Sequence, residues 1–334
     1  MQKFLVIQTA FIGDVVLATS ILEELHARFP DAQIDYLVRK GNEGLLKGHP
    51  FLHEVLVWDK QKQKFSHLMQ MMRKVRSAHY DVVINVQRFA ATGLITIKSG
   101  AKLTIGYDKN PLSFLFSRKI PHVISTKENP IHEIDRCHAL VAALTGYDHA
   151  FKPRLYPTDG DMAAVAQYKH GAYICIAPAS VWFTKQYPAH QWASFIRRIP
   201  TNVHVYLLGA PADAELCEAI IQSTPGHAVH NLAGKLSLLQ SVALQKDAMM
   251  NYVNDSAPMH FASAVNAPVT AVYCSTIPAF GFGPVSDESH IVEVQEQLDC
   301  RPCGLHGRKE CPLGHFHCAK WIKDEQLLKL CSFA

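Results

Sequence analysis

Tyr252-Val-Asn-Asp-Ser-Ala-Pro-Met-His-Phe-Ala-Ser-Ala-Val-Asn-Ala-Pro-Val-Thr-Ala-Val-Tyr273 reads as the end of a strand, a tight turn, a short helix and a second strand. The apolar run Ala248–Val253 has the make-up of a buried strand. Asn254, Asp255 and Ser256 are turn and N-cap residue types. Pro258 suits a first helical turn, where its missing N–H costs nothing. Met259, Phe261, Ala262 and Val265 give the helix an apolar face, Asn266 and Pro268 stop it, and Val269–Tyr273 resumes as a β-branched strand. This order sets a helix N-terminus at the carboxyl end of a parallel strand, the edge where open α/β sheets bind ligands. The unpaired N–H groups and dipole there attract a phosphate. Asp255 would repel that anion, but it suits the hydroxyls of a sugar beside it. The other reading of Asp255 and Ser256 is as simple helix caps.

Working outward, the first half alternates strands and helices. Lys3–Gln8, Ile34–Val38, Val55–Trp58 and Tyr80–Asn85 read as strands, and Val15–Phe29, Gly41–Lys47 and Phe65–Ser77 as helices. Such alternation predicts a parallel sheet wound on both faces. Gly13-Asp14 falls where the first strand hands over to its helix. The turn lacks G-x-G-x-x-G, so it carries no dinucleotide fingerprint. Asp14 fits either a general base at the ligand edge or a first-turn carboxylate favourable to the helix dipole.

A second series follows the proline-punctuated linker Lys152–Pro157. Its strands are Ala172–Ala177 and Val203–Leu208, with helices around Trp192, at Glu215–Ile221 and at Leu238–Leu244. Lys185 stands in the loop after a strand, where it can neutralise a phosphate as a point charge. Ser180 and Thr184 add hydroxyls. Glu215, just past Gly209-Ala-Pro211, can accept from a ribose hydroxyl or sit exposed on its helix. Two doubly wound halves predict a ligand cleft between them.

The chain has 334 residues, of which 48% are hydrophobic and 19% charged, enough for two cored domains. The net charge of +4 is too modest to point to nucleic acid. No run of about 18 apolar residues predicts a spanning helix. The N-terminus runs straight into a strand without a signal-peptide pattern, and nine cysteines suit a reducing compartment, so a cytoplasmic location is expected. Lys60, Lys62, Lys64, Arg73, Lys74 and Arg76, interleaved with Phe65, Leu68, Met69 and Met72, read as an amphipathic helix near an anionic membrane surface or as an ordinary solvated face. Cys300-x2-Cys303-x7-Cys311-x6-Cys318 offers four candidate thiolate ligands for a structural zinc, although only the first pair has short spacing. The alternative is a loop of reduced cysteines.

Four stretches taken together resemble glycosyltransferase family 9, the ADP-heptose:lipopolysaccharide heptosyltransferases. They are Ile12-Gly13-Asp14, Lys185-x-x-Pro188-x-x-x-Trp192, Asn231-Leu232-Ala233-Gly234 and Asn254-Asp255-Ser256-x-Pro-Met-His260. The resemblance covers essentially the whole chain. It implies the GT-B fold: two Rossmann-like domains facing a central cleft. The expected boundaries are 1–155 for an acceptor-binding domain and 156–320 for a nucleotide-sugar domain. A terminal helix within 321–334, Asp324–Leu330, is expected to pack back on the first domain. The resemblance also implies an inverting, metal-independent transfer from ADP-heptose to the lipopolysaccharide inner core (Kdo or a first heptose), at the cytoplasmic face of the inner membrane. No cofactor is implied beyond the donor substrate. Asp14 matches the family's base, Lys185 its diphosphate lysine and Asp255 its donor-sugar aspartate. Ser256 and His260 share that motif, and Ser180 and Glu215 match nucleotide contacts. Relatives commonly have glycine after Asn-Asp-Ser, where this chain has Ala257, whose Cβ limits close backbone approach. Two alternatives remain: a GT-B enzyme using another nucleotide sugar, and a noncatalytic nucleotide-sugar or lipopolysaccharide-binding protein.

Overall fold

A computed structural model describes residues 2–60 and 64–332. The chain divides into two compact units, Met1–Ser125 with Ile131–Tyr156, and Thr126–Pro130 with Pro157–Ala334. Each is built on one six-stranded, wholly parallel sheet. The first contains β1 (Lys3–Ile7), β2 (Gln33–Arg39), β3 (Leu52–Trp58), β4 (Val82–Asn85), β5 (Leu103–Tyr107) and β6 (Arg118–Ile120), in the order β3-β2-β1-β4-β5-β6. The second contains β7 (Tyr173–Ala177), β8 (His204–Leu207), β9 (Val229–Asn231), β10 (Asn251–Asn254), β11 (Val269–Tyr273) and β12 (Ser289–Glu293), in the order β12-β11-β10-β7-β8-β9. Both are the same topology. The chain winds outward from the central strand, then returns to its other side and winds the opposite way. The strand order therefore reverses between β1 and β4 and again between β7 and β10, the switch points where such sheets bind ligands.

The central strands are buried along their length because helices cover both faces of each sheet. Phe4, Leu5, Val6 and Ile7 of β1 are all fully buried. In the second unit, alternate residues enter different cores. Ile174 and Ile176 pack with Trp192, Phe195 and Tyr252, whereas Tyr173, Cys175 and Ala177 pack with Tyr206, Met259 and Val269.

The helix expected over Val15–Phe29 is two, Ile12–Leu17 and Thr19–Arg28, broken at Ala18. Thr19 Oγ1 donates to Val16 O at 2.7 Å at that break. The stretch Gly41–Lys47 contains only a single 3₁₀ turn, Glu43–Leu46. The terminal helix, Asp324–Leu328, packs against the helix Ala189–Ile196 of the second unit. Leu327 is fully buried in that unit's core, Ser194 Oγ donates to Asp324 at 2.6 Å, and Tyr252 Oη donates to Leu327 O at 3.2 Å. Arg198 pairs with Glu325 and Gln326 Nε2 donates to Glu293 O at 2.9 Å, so an apolar anchor and several polar ties hold this helix in place.

In the basic tract, Lys62 lies outside the described residues, and the side chain of Lys64 does too. Lys60 is turned inward: its ammonium donates to Thr9 O at 3.0 Å and Thr9 Oγ1 at 2.7 Å, over the ring of Trp58. Arg73 and Arg76 are exposed, as is Phe65, while Leu68 is buried. No helix among the described residues is long and apolar enough to cross a membrane.

Candidate active site

In the first unit, Asp14 sits in the first turn of the helix that follows β1, at the switch-point edge of the sheet. It is partly exposed. Desolvation by the surrounding protein pushes its carboxyl above the ordinary aspartate range; backbone hydrogen bonds at Asp14 and Phe11, and the charges of Arg136 and Arg39, pull it part of the way back. Arg39 is the last residue of β2, and Arg136 is a buried member of the helix Glu133–Thr145, paired with Glu133. Neither arginine stood out in the sequence. A strand-end position could have flagged Arg39; no local pattern marks Arg136. Just past the ends of β4 and β1, the Gln87 side-chain amide donates to the side chain of Gln8. The edge thus presents the Asp14 carboxylate, of raised basicity, among cationic and amide groups.

In the second unit, residues 70 apart in sequence meet at the β7/β10 edge. Lys185 closes the single 3₁₀ turn Phe183–Lys185 after β7, and Asp255 follows directly on β10. Lys185 Nζ lies 2.6 Å from Asp255 Oδ2, with side-chain exposures of 15% and 9%. Thr276 Oγ1 donates to the same Oδ2 at 2.6 Å. Two residues assigned to neighbouring parts of one ligand are therefore direct ion-pair partners.

Asn254 explains how the pair is held. It is fully buried at the end of β10, and its Nδ2 donates to Pro178 O at 2.8 Å while its Oδ1 accepts from the Tyr187 N–H at 2.9 Å. It staples both ends of the Lys185-bearing loop to the Asp255 turn. Asn254→Asp would set a carboxylate oxygen against a carbonyl in a buried site. We expect it to lower the unfolding free energy by about 3 kcal/mol in urea titration. A loss within about 0.5 kcal/mol would deny the staple.

Ser256 is the N-cap of the helix Ala257–Ala264, but its hydroxyl donates back to Asn254 O at 3.3 Å and caps nothing. Ala257 is the first helical residue, with Pro258 beside it, and His260 is buried one turn on. Ser180 is partly exposed in the loop after β7, where its carbonyl accepts from Gln186 at 2.6 Å. Glu215 is exposed in the first turn of the helix Ala214–Gln222. The Asn231–Gly234 motif braces the loop before Glu215. Asn231 Nδ2 donates to Ala214 O at 3.0 Å, and Gly234 N–H donates to Gly209 O at 2.9 Å. Gly234 has φ +72° and a Cβ there would lie 2.8 Å from Pro211 Cα, so only glycine fits. In the Lys185–Trp192 run, Pro188 is the N-cap of the helix Ala189–Ile196 and Trp192 is fully buried against Tyr187.

Among the described residues, no group of three or more His, Cys, Asp and Glu side chains is placed to hold a metal ion. All nine cysteines are free thiols. Cys318 is buried in the apolar core, with Cys311 packed against it, while Cys300 and Cys303 are half-buried.

The family model of glycosyltransferase family 9 (heptosyltransferase) matches residues 68–316. The chain is 21% identical to lipopolysaccharide heptosyltransferase 1 of Campylobacter coli, with 98% of each chain covered. Among solved structures, it is similar to the E. coli ADP-heptose lps heptosyltransferase II, with TM-score 0.80, 22% identity and coverage of 98% of this chain and 97% of that one. E. coli heptosyltransferase WaaC with ADP-2-deoxy-2-fluoro heptose follows at TM-score 0.71 and 18% identity, with 98% of both chains covered. These likenesses show the same two-sheet GT-B fold, and with the family match over most of its length the chain belongs to glycosyltransferase family 9, the heptosyltransferases.

Proposed function

We propose that the protein transfers heptose from ADP-heptose to a Kdo- or heptose-bearing lipid A acceptor of the lipopolysaccharide inner core, with inversion and without a metal ion. The observation that carries this reading is the Lys185–Asp255 pair at the switch-point edge of the second sheet. It offers one cation to a diphosphate and one carboxylate to sugar hydroxyls, side by side. The E. coli relatives whose names carry ADP-heptose and an ADP-heptose analogue support the choice of donor.

In this reading Asp14 takes the proton of the acceptor hydroxyl as its oxygen bonds the anomeric carbon. The bond from that carbon to the diphosphate breaks, and its electron pair leaves with ADP. Lys185 offsets the charge arriving on the leaving group. Ser180, Ser256, Glu215 and His260 complete the donor contacts. The acceptor is lipid-linked, so the enzyme works as a peripheral protein at the cytoplasmic face of the inner membrane.

Mass spectrometry of products from ADP-heptose with a panel of defined core acceptors tests the reading. The expected result is one heptose added to one acceptor class, undiminished in EDTA. Turnover only with another nucleotide sugar would replace the donor. Binding with no turnover on any acceptor would favour a noncatalytic role, and a requirement for added Mg²⁺ or Mn²⁺ would overturn metal independence.

A further inference from the structure

The cysteine-bearing segment is explained by neither the catalytic reading nor a metal centre, yet it touches both halves of the donor edge. Arg301 Nε donates to Cys274 O at 2.7 Å, and its Nη2 donates to Tyr273 O at 3.2 Å and Thr276 O at 2.7 Å, with Glu293 as counter-ion. Cys303 N–H donates to Ser275 O at 2.9 Å. A few residues on, Arg308 N–H donates to Thr184 Oγ1 at 2.7 Å, and Thr184 N–H donates to Arg308 O at 3.1 Å. Ser275 Oγ donates to Thr184 Oγ1 at 2.9 Å, joining the two loops directly.

From this geometry we infer that Thr276 is a positioning residue for Asp255, and that Arg301 holds the loop from which Thr276 acts. The inference rests on the reading of Asp255 as the donor-sugar contact. A carboxylate on one rotatable bond can turn either oxygen outward. Here the hydroxyl of Thr276, itself 1% exposed, and the ammonium of Lys185 both engage Oδ2. With Oδ2 occupied twice, the rotation of the group is set and Oδ1 is the oxygen left to accept from sugar hydroxyls. Thr276 can do this only if its backbone is fixed. The carbonyls of Tyr273, at the end of β11, and of Cys274 and Thr276 just beyond it need partners there, and the fork of one guanidinium supplies them. A lysine at 301 could not reach all three in one plane.

The function assigned to the segment is therefore mechanical. It braces the Thr276 loop against the Lys185 turn, and so fixes the distance between the cation and the carboxylate that meet the two parts of the donor.

Thr276→Val removes the hydroxyl at nearly constant size, and Thr276→Ser keeps it. Initial rates with ADP-heptose and calorimetry with ADP are measured for both, with Thr276→Ala replacing Val should that variant fail to fold. The expected result is a KM for ADP-heptose raised about tenfold in Thr276→Val, an ADP affinity within twofold of wild type, and recovery of KM in Thr276→Ser. Arg301→Lys should shift KM in the same direction. A wild-type KM in Thr276→Val, an equal loss for ADP and ADP-heptose, or no recovery with serine overturns the inference. Asp255→Ala is measured alongside. If it weakens ADP-heptose more than ADP while Thr276→Val does not, Asp255 remains the sugar contact and only the role of Thr276 falls. If Asp255→Ala weakens both ligands equally, the sugar reading of Asp255 falls and the inference falls with it.

Discussion

Asp14→Asn should fold normally, bind ADP-heptose nearly as well as wild type, and lose turnover by about 10²–10⁴-fold, the usual worth of general-base assistance. A sugar hydroxyl is a poor nucleophile at neutral pH, and asparagine keeps the shape of the side chain but cannot take a proton. The pH profile gives an independent reading. Burial raises the Asp14 carboxyl above its ordinary value, so the acidic limb of kcat/KM should have its midpoint above about 3.9 and should be absent from the residual activity of the variant. The stability sign follows from the same shift. A raised pKa in the folded state means that the native protein binds more protons than the unfolded chain between the ordinary and the raised value. Stability contributed by this group is therefore present below about pH 3.9 and lost as pH rises through the raised value. Above that window the ionised, desolvated carboxylate is a net cost, so Asp14→Asn should melt at or above the wild-type temperature at neutral pH. A carboxylate that serves only the helix dipole predicts the reverse: a cost of up to about 2 kcal/mol and unchanged turnover. A folded variant with near-normal turnover would remove Asp14 as the base.

Much of the fold could be read because strands buried on both faces leave unbroken apolar runs. Val269–Tyr273 was read to the residue, and β1, β4 and β7 to within one or two. β5 was missed because Gly106 interrupts Leu103–Tyr107. The glycine is a packing requirement, since a Cβ there would lie 2.6 Å from Phe116 Cε2, and such a long-range contact has no local signature. β12, Ser289–Glu293, is an edge strand with one buried residue, and the edge strands β6 and β9 have none, so all three lack the apolar run that marks the central strands. The order of the strands was equally hidden, because alternation of elements gives winding but not the side on which the chain returns.

Within the site, the segments that follow strands are legible: Asp255 directly follows β10, and Asp14 and Lys185 lie in the turns after β1 and β7. Their partners are not. Arg136 acts on Asp14 through its charge, from a helix more than a hundred residues away, and Arg301 reaches the Thr276 loop from a segment whose cysteines point toward metal chemistry. Asn254 looked like a turn former and proved to be a buried staple, because the hydrogen bonds that decide its role belong to β7 and its loop.

Lys185→Ala is the substitution whose two consequences separate the ligand role of this residue from its structural one. In the folded protein it takes the cation from beside a carboxylate only 9% exposed, leaving Asp255 with the Thr276 hydroxyl as a neutral partner. Breaking a buried pair from one side costs about 3–5 kcal/mol, and the partial exposure of Lys185 favours the low end. Chemical denaturation should therefore show a loss of about 3 kcal/mol. Calorimetry should show ADP binding weakened on the order of 10- to 100-fold, the worth of a charged hydrogen bond to the diphosphate. The double variant Lys185→Ala/Asp255→Ala removes the stranded charge as well. It should recover most of the lost stability, a coupling expected of residues in direct contact, but none of the ADP affinity. Lys185→Arg keeps the charge and changes the shape of the donor group; it should hold stability while binding ADP less well than lysine. A purely structural ion pair predicts a simpler pattern, in which stability falls and is restored in the double variant while ADP affinity never moves. That pattern would take Lys185 out of the diphosphate site and leave it as the counter-ion of Asp255, and the charge departing with ADP would have to be met by another group.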